Sequence, residues 1–288
     1  MSVALRPGRV EEITSPSNPR IKSIKGLWLK KNREAEGAFL AEGMKLVQDA
    51  LEAGWTVRTL LHAKCLLKDA RLKERVTQLA TTVRARGGDV LMTNNKLLTA
   101  ITRRDNAQAV VAVLEPRMAD VSALKAETNV SWVALDRVRD PGNLGTIIRT
   151  VDALGASGII LVGDTTDPFA VEAVRATMGS LFHVPLISMA ESAFYDLTNH
   201  WRLQGGAVIG THLKGAVDHR SIDYKAKPHI LLMGNEQQGL TDDLAATCDQ
   251  LALIAMAGKA DSLNLAVATG IMLFEARRHA LQSPEAPA

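Results

Sequence analysis

Apolar residues along this chain fall mainly into short unbroken runs, each closed by glycine or a polar turn. Runs without polar alternation read as strands buried on both faces of a parallel sheet, and apolar residues three and four apart read as helices. In the first part this predicts strands at 37–43, 57–61, 90–92 and 109–114. Helices are predicted from Met44 to Gly54, over 66–86, and after a Thr93 cap. Residues 15–34 read as a turn and one amphipathic helix, with Pro19 in its first turn and Ile21, Ile24, Leu27 and Trp28 on one face. Residues 1–13 show no periodicity and read as a loose arm. Residues 115–129, with Pro116, read as a linker.

The second part repeats the alternation. Strands are predicted at 131–135, 159–162, 182–187, 207–211, 230–233 and 251–254, with helices from Thr146, around 169–178, over 191–204, and to Arg278 at the end. Pro141, Gly142 and Gly145 read as a loop before the first of these helices, and Asp261 or Ser262 as the N-cap of the last. That last helix has no charged residue from Leu265 to Phe274, so its whole circumference is expected to be covered, by core or by a partner subunit. The fold class is α/β, with a small first domain at 1–114 and a mostly parallel second domain at 130–282. A disordered tail is expected at 283–288. Chemistry is expected at the carboxyl ends of the parallel strands.

Charge adds a division of labour. The 288 residues carry a net charge of only +3, but residues 1–128 hold 22 Lys and Arg against 14 Asp and Glu, and residues 129–288 hold 12 against 17. A basic first half suits a polyanion. The cations of the 15–34 segment, Arg20, Lys22, Lys25, Lys30, Lys31 and Arg33, are the candidate nucleic-acid contacts. Cys65 and Cys248 stand far apart with no CxxC spacing, and the seven histidines lack metal-ligand spacing, so no metal is expected. No apolar run approaches a membrane span, and Glu11 and Glu12 cut short the basic start at Arg6 and Arg9. A reduced cytoplasmic protein is expected.

The glycine loops match neither GxGxxG at a first βα turn nor GxxxxGK[ST], and no Ser–His–Asp or Cys–His spacing stands out. Three ordered segments are more specific: DPGNLGTIIRT (140–150), LLMGNEQQGL (231–240) and IAMAGKADSLNLAVATGIMLFE (254–275). Together they resemble the motifs of the SpoU/TrmH family of RNA ribose 2′-O-methyltransferases, in the SPOUT superfamily. VRATMGSLFHVPL (174–186) is also similar to family sequence, and residues 15–114 resemble its ribosomal-protein-like substrate-binding domain. Ala255 and Ala266 depart from the family's frequent proline and serine.

The resemblance implies a trefoil-knotted catalytic domain, a homodimer, and S-adenosylmethionine as methyl donor. It implies cofactor contacts at Gly234, Ile254 and Leu263, and catalytic roles for Asn143, Arg149, Glu236, Ser262 and Asn264. Arg149 is expected to hold phosphate or ribose beside the target hydroxyl, a bidentate task for a guanidinium that does not readily lose its proton. Structured RNA, most naturally ribosomal RNA of the 23S type, is the implied substrate. Transfer RNA, a silent RNA-binding or assembly protein, and a methyltransferase conferring antibiotic resistance are the alternatives.

Overall fold

The structure, a computed structural model, describes residues 6–66, 69–212 and 216–281. The expected tail at 283–288 and residues 1–5 of the expected arm lie outside the described residues. The chain divides into two compact units, Met1–Arg117 with Asp167–Phe182, and Met118–Thr166 with His183–Ala288.

In the first unit the chain runs through β1 (Val10–Glu12), α1 (Pro19–Gly26), α2 (Lys30–Glu36), β2 (Phe39–Glu42), α3 (Met44–Glu52) and β3 (Val57–Ala63). It continues through α4 (Ala70–Ala85), β4 (Asp89–Thr93), α5 (Asn95–Thr102) and β5 (Val110–Leu114). The sheet order is β1-β4-β3-β5-β2, and β5 runs antiparallel to both its neighbours. Ile21, Ile24, Leu27, Leu40, Leu61, Leu98 and Ile101 form its core. Helix starts follow the side chains that satisfy their orphan amides: Asp69 caps α4 and Asn94 caps α5, each accepting from the amide three residues on.

The second unit holds β6 (Ser131–Asp136), α6 (Pro141–Ala153) and β7 (Gly158–Val162). The next helix, α7 (Val171–Thr177), belongs to the first unit, where Val171 joins the core. Then come β8 (Leu186–Met189), α8 (Glu191–Leu203), β9 (Ala207–Thr211), β10 (Val217–Asp218), β11 (His229–Met233), α9 (Asp242–Ala246), β12 (Gln250–Leu253) and α10 (Leu265–Arg277). Its seven strands lie in the order β10-β12-β9-β11-β6-β7-β8, every pairing parallel. Every residue of β6, β7 and β11 is buried, on both faces of the sheet, which is why β7 and β11 read as nearly unbroken apolar runs. Close packing needs Gly158, where a Cβ would come within 2.3 Å of the Trp132 ring and 2.6 Å of the Pro185 carbonyl oxygen.

Several predicted elements change. The 15–34 helix is two helices, broken at Leu27–Leu29, where the Asn32 amide donates to the Gly26 carbonyl at 2.8 Å. Part of the expected loose arm is strand β1, in register with Val90–Met92. The expected loop at 141–145 is the first turn of α6, because Asp140 accepts from the Asn143 amide at 2.6 Å and Pro141 occupies the first helical position, where its missing amide costs nothing. The strand expected at 182–187 begins only at Leu186, and Phe182 instead packs edge-on to Trp55, ring centroids 5.3 Å apart. The caps of the last two short-range predictions shift by one to three residues, to Asn94 and Asn264.

Candidate active site

Because all seven strands of the second unit run the same way, their carboxyl ends share one edge of the sheet. Of the connections that leave that edge, three build the clefts: 137–140 after β6, 234–241 after β11, and 254–264 after β12. The middle one is a tight turn. Asn235 and Gly239 exchange main-chain hydrogen bonds, and Asn235 Oδ1 accepts from the amides of Gln237 and Gln238 at 3.0 and 3.3 Å. Asn235 Nδ2 donates to the Arg137 carbonyl at 2.9 Å, tying this turn to the first connection. Gly239 has φ +68°, the left-handed region that glycine enters without strain, and Gly234 lies so close to the turn that a Cβ would sit 2.4 Å from Gly239 and Leu240 backbone atoms.

Two clefts flank the turn. One of about 400 Å³ is mainly apolar and is lined by Gly234, Ile254 and Leu263, with Thr211, Met256 and Leu265. The other, polar, is lined by Arg137, Arg139, Asn143, Asn264 and the side of the turn bearing Glu236. Residues Asn235 to Gln238 are the wall common to both.

Glu236 is fixed at the start of α6. Its carboxylate accepts from the amides of Arg139 and Asp140 and from Asn143 Nδ2, each at 3.3 Å. A carboxylate suits that place because helix amides there lack internal partners and the dipole is positive. Asn143 Oδ1 in turn accepts from Asn264 Nδ2 at 2.9 Å, and Asn264 Oδ1 caps α10 by accepting from Ala266 and Val267. A line of three polar side chains thus joins the motifs of β6–α6, β11 and α10. Arg137 enters the polar cleft from a left-handed backbone, φ 46°, with Nε and Nη2 on the carboxylate of fully buried Asp136 at 2.8 and 2.9 Å. That carboxylate holds the Arg137 guanidinium above its ordinary pKa.

Of the residues singled out in the sequence, Asn143, Glu236 and Asn264 are hydrogen-bonded together, and Gly234, Ile254, Ser262 and Leu263 line the apolar cleft. Arg149 is not among them. It is exposed on α6, lines neither cleft, and makes no ion pair among the described residues. Asn235, Arg137 and Thr211 were not singled out. Asn235 adjoins Gly234 in the same motif and was legible as a turn residue, whereas Arg137 and Thr211 depend on which strand ends the sheet order makes neighbours.

The basic segment of the first unit is only partly a surface. Lys22, Lys25, Lys30 and Lys31 are exposed, and Arg20 is half-buried on Glu11 and Asp89 at 3.0 and 2.7 Å. Arg33 is a correction: it is buried, its guanidinium on Asp167 at 2.7 Å and on the carbonyls of Leu27 and Trp28 at 2.9 Å. Inside the fold it meets a carboxylate and two carbonyls, which leaves it no face for an external phosphate.

A parallel sheet with an apolar and a polar cleft meeting at one carboxylate beyond its strand ends is the arrangement in which α/β proteins bind small ligands. Residues 131–274 match the model of the SpoU rRNA Methylase family, and residues 18–112 match an MRM3-like substrate binding domain. A solved structure described as an AdoMet-bound rRNA methyltransferase from Sinorhizobium meliloti superposes with a TM-score of 0.87 at 53% identity, covering 95% of this chain and 99% of that one. The 23S rRNA (uridine(2479)-2′-O)-methyltransferase of Streptomyces viridochromogenes is 33% identical over 95% of this chain and 94% of its own. The 23S rRNA (guanosine(2553)-2′-O)-methyltransferase RlmP of Bacillus subtilis is 30% identical over 93% of this chain and 100% of its own. The chain belongs to the SpoU rRNA methylase family and is an RNA methyltransferase. Among the described residues there is no cluster of side chains that would hold a metal ion and no helix long and apolar enough to cross a membrane.

Proposed function

We propose that this protein transfers the methyl group of S-adenosylmethionine to the 2′-hydroxyl of one nucleotide in 23S-type ribosomal RNA. The observation that carries the reading is the line Asn264–Asn143–Glu236, which runs beside the wall shared by the two clefts. The apolar cleft suits the donor: Gly234 lets main chain approach an adenosine without a Cβ, and Ile254 and Leu263 offer apolar walls to the adenine. When bound, the donor supplies an electrophilic methyl group on a sulfonium sulfur.

The remaining work falls to the chain. The polar cleft receives the target ribose. Its hydroxyl is a poor nucleophile and must be aimed before it reacts. Glu236 is anchored by long hydrogen bonds that leave its oxygens able to accept one more, from that hydroxyl. Asn264 fixes the Asn143 amide so that its donor faces Glu236, and Ser262 lies on the apolar side of the same junction.

Arg149 completes the site from a second copy of the chain. Helices α6 and α10 pack side by side, and the outer face of α10 leaves Val267 and Phe274 51% and 55% exposed. An apolar stripe on a helix next to an unpaired arginine suits a homodimer in which Arg149 holds the phosphate or ribose in the opposite copy's polar cleft. The reading includes a trefoil-knotted path of the 234–241 and 254–264 connections, both tied to the β6–α6 connection by Asn235 and Asn264. It also includes a cytoplasmic site of action. Residues 1–114 supply phosphate contacts that position the RNA without specifying its sequence.

The test is methyl transfer from labelled S-adenosylmethionine into ribosomal and transfer RNA from cells lacking the gene, each digested to nucleosides. Label in a 2′-O-methylnucleoside of ribosomal RNA, lost in Arg149→Ala, is the expected result. Label on a base overturns the chemistry, and label confined to transfer RNA overturns the substrate. Mixing Arg149→Ala with Asn264→Ala protein is expected to restore part of the activity, because one site in the mixed dimer is intact; no restoration overturns the shared site.

A further inference from the structure

We propose that a corner of the first unit, built from Trp28, Lys30, Lys31, Arg103 and Arg104, is the clamp that grips the phosphate backbone of the structured RNA substrate. This rests on the reading above and names the surface it leaves open.

Arg33, the cation that the fold buries, is the strut of this corner. By holding the carbonyls of Leu27 and Trp28 and the carboxylate of Asp167, it fixes the break between α1 and α2. Trp28 Nε1 donates to the Ile101 carbonyl at 2.7 Å, which ties the break to the end of α5. There the chain turns through Arg103 in a left-handed conformation, φ 53°, uncommon for a residue with a side chain. That turn places the Arg103 guanidinium over the Trp28 ring, its central carbon 4.4 Å from the centroid.

Of the acids nearby, Glu42 and Asp167 are matched from within, and Glu34 and Asp105 are exposed. Glu42 is buried, with a side chain 2% exposed, and takes Nε and Nη2 of Arg175 at 3.0 and 2.6 Å. Arg104 stands 3.8 Å from it, a weak second partner, and keeps 44% of its side chain in solvent. Arg103 is exposed and has no ion pair among the described residues. Lys31 is exposed likewise, and Lys30 meets Glu34 only at 3.9 Å. Two guanidinium groups thus lie over the Trp28 ring, exposed Arg103 at 4.4 Å and Glu42-bound Arg175 at 5.2 Å, while Lys30 and Lys31 follow Trp28 in the chain, Arg104 follows Arg103, and all three are exposed. A guanidinium held over an indole loses little freedom on binding, which suits a phosphate oxygen pair better than a mobile ammonium does. Exposed Leu29, 51% open beside the lysines, offers apolar surface to a ribose or an unstacked base.

The test uses the full chain and a labelled 23S ribosomal RNA transcript, with binding measured from low to moderate salt. Arg103→Ala/Arg104→Ala is expected to weaken binding about tenfold or more and to make the log–log salt slope shallower by roughly 1.4–1.8, two lost contacts at about 0.7–0.9 each. S-adenosylmethionine binding is expected to be unchanged. Arg103→Lys/Arg104→Lys is expected to restore the slope and only part of the affinity. Wild-type affinity and slope in the alanine variant overturn the clamp, as does an equal loss in Arg71→Ala/Lys73→Ala on the exposed face of α4. If the wild type methylates no RNA yet the clamp variant still loses affinity, the function reading fails and the clamp stands.

Discussion

The two units use the same polar residue types in opposite ways. In the first, charged side chains are braces: Arg33 on Asp167, Arg175 on Glu42, Arg20 on Asp89. In the second, the polar side chains at the strand ends bond one another across three connections and face open clefts. The sheets differ by one strand. In the first, β1, β4, β3 and β2 run together and only β5 is reversed, and the arginines around the sheet pair with acids of the same unit. With every strand parallel, the second sheet gathers its carboxyl ends along one edge, where separate motifs can meet. An arginine is a brace where secondary structure closes over it and a reagent where a cleft stays open.

The largest expected effect tests the bracing. Arg33→Ala leaves the Asp167 carboxylate poorly solvated and unpaired, and about 3 kcal/mol of stability is expected to be lost from the first unit. Denaturant unfolding should show it, with S-adenosylmethionine affinity unchanged; a loss of affinity would mean that the units do not separate brace from chemistry.

Next is a pH effect in the second unit. His229 opens β11 with Nδ1–H donating to the Lys227 carbonyl at 3.3 Å and Nε2 accepting from Ser131 Oγ at 2.9 Å, a neutral ring bonded at both ends. Burial pushes its pKa down to about 4. Above pH 6.5 the ring is neutral folded or unfolded. Between about 6.5 and 4 the unfolded chain takes up a proton that the folded one refuses, so stability falls as pH falls, by up to about 3 kcal/mol. Unfolding at pH 7 and pH 4.5 is expected to show this loss, and His229→Gln to reduce it.

Gly234→Ala places a Cβ against main chain that has no room to yield. About 1–3 kcal/mol of overpacking is expected, together with a fall in donor affinity of at least tenfold by calorimetry. Asn264→Ser is subtler. Serine still caps α10, so the melting temperature is expected to move by less than the effect of about 1 kcal/mol, while the lost donor to Asn143 lowers kcat about ten- to a hundredfold. Retained kcat would break the proposed line of three side chains.

Much of the second unit was legible because most of its strands are short, apolar and closed by a turn, a signal that local sequence carries; β10, Val217–Asp218, has no such run and was not predicted. The three motifs also put Asn143, Glu236 and Asn264 within reach of notice, and the structure bonds them together. Boundaries failed where two signals competed. Pro141-Gly142 reads as a turn until Asp140 is seen to cap a helix, and Phe182 reads as strand until its ring is placed beside Trp55. The cation run at 20–33 reads as one solvated face, since nothing local to it announces that Asp167, over a hundred residues away, will claim Arg33.

What the sequence determined by itself is the alternation of strands and helices, the charge split between halves and the residues able to do chemistry. These depend on neighbours within a few positions, where propensity and hydrogen-bonding capacity act directly. Tertiary structure alone decided which strand ends lie together, that Arg33 is a brace and Arg103 an open guanidinium, and that Arg149 stands apart from both clefts in its own chain. Those outcomes depend on contacts between distant segments, and burial, which no local pattern encodes, sets whether a charge is matched inside or offered to a ligand.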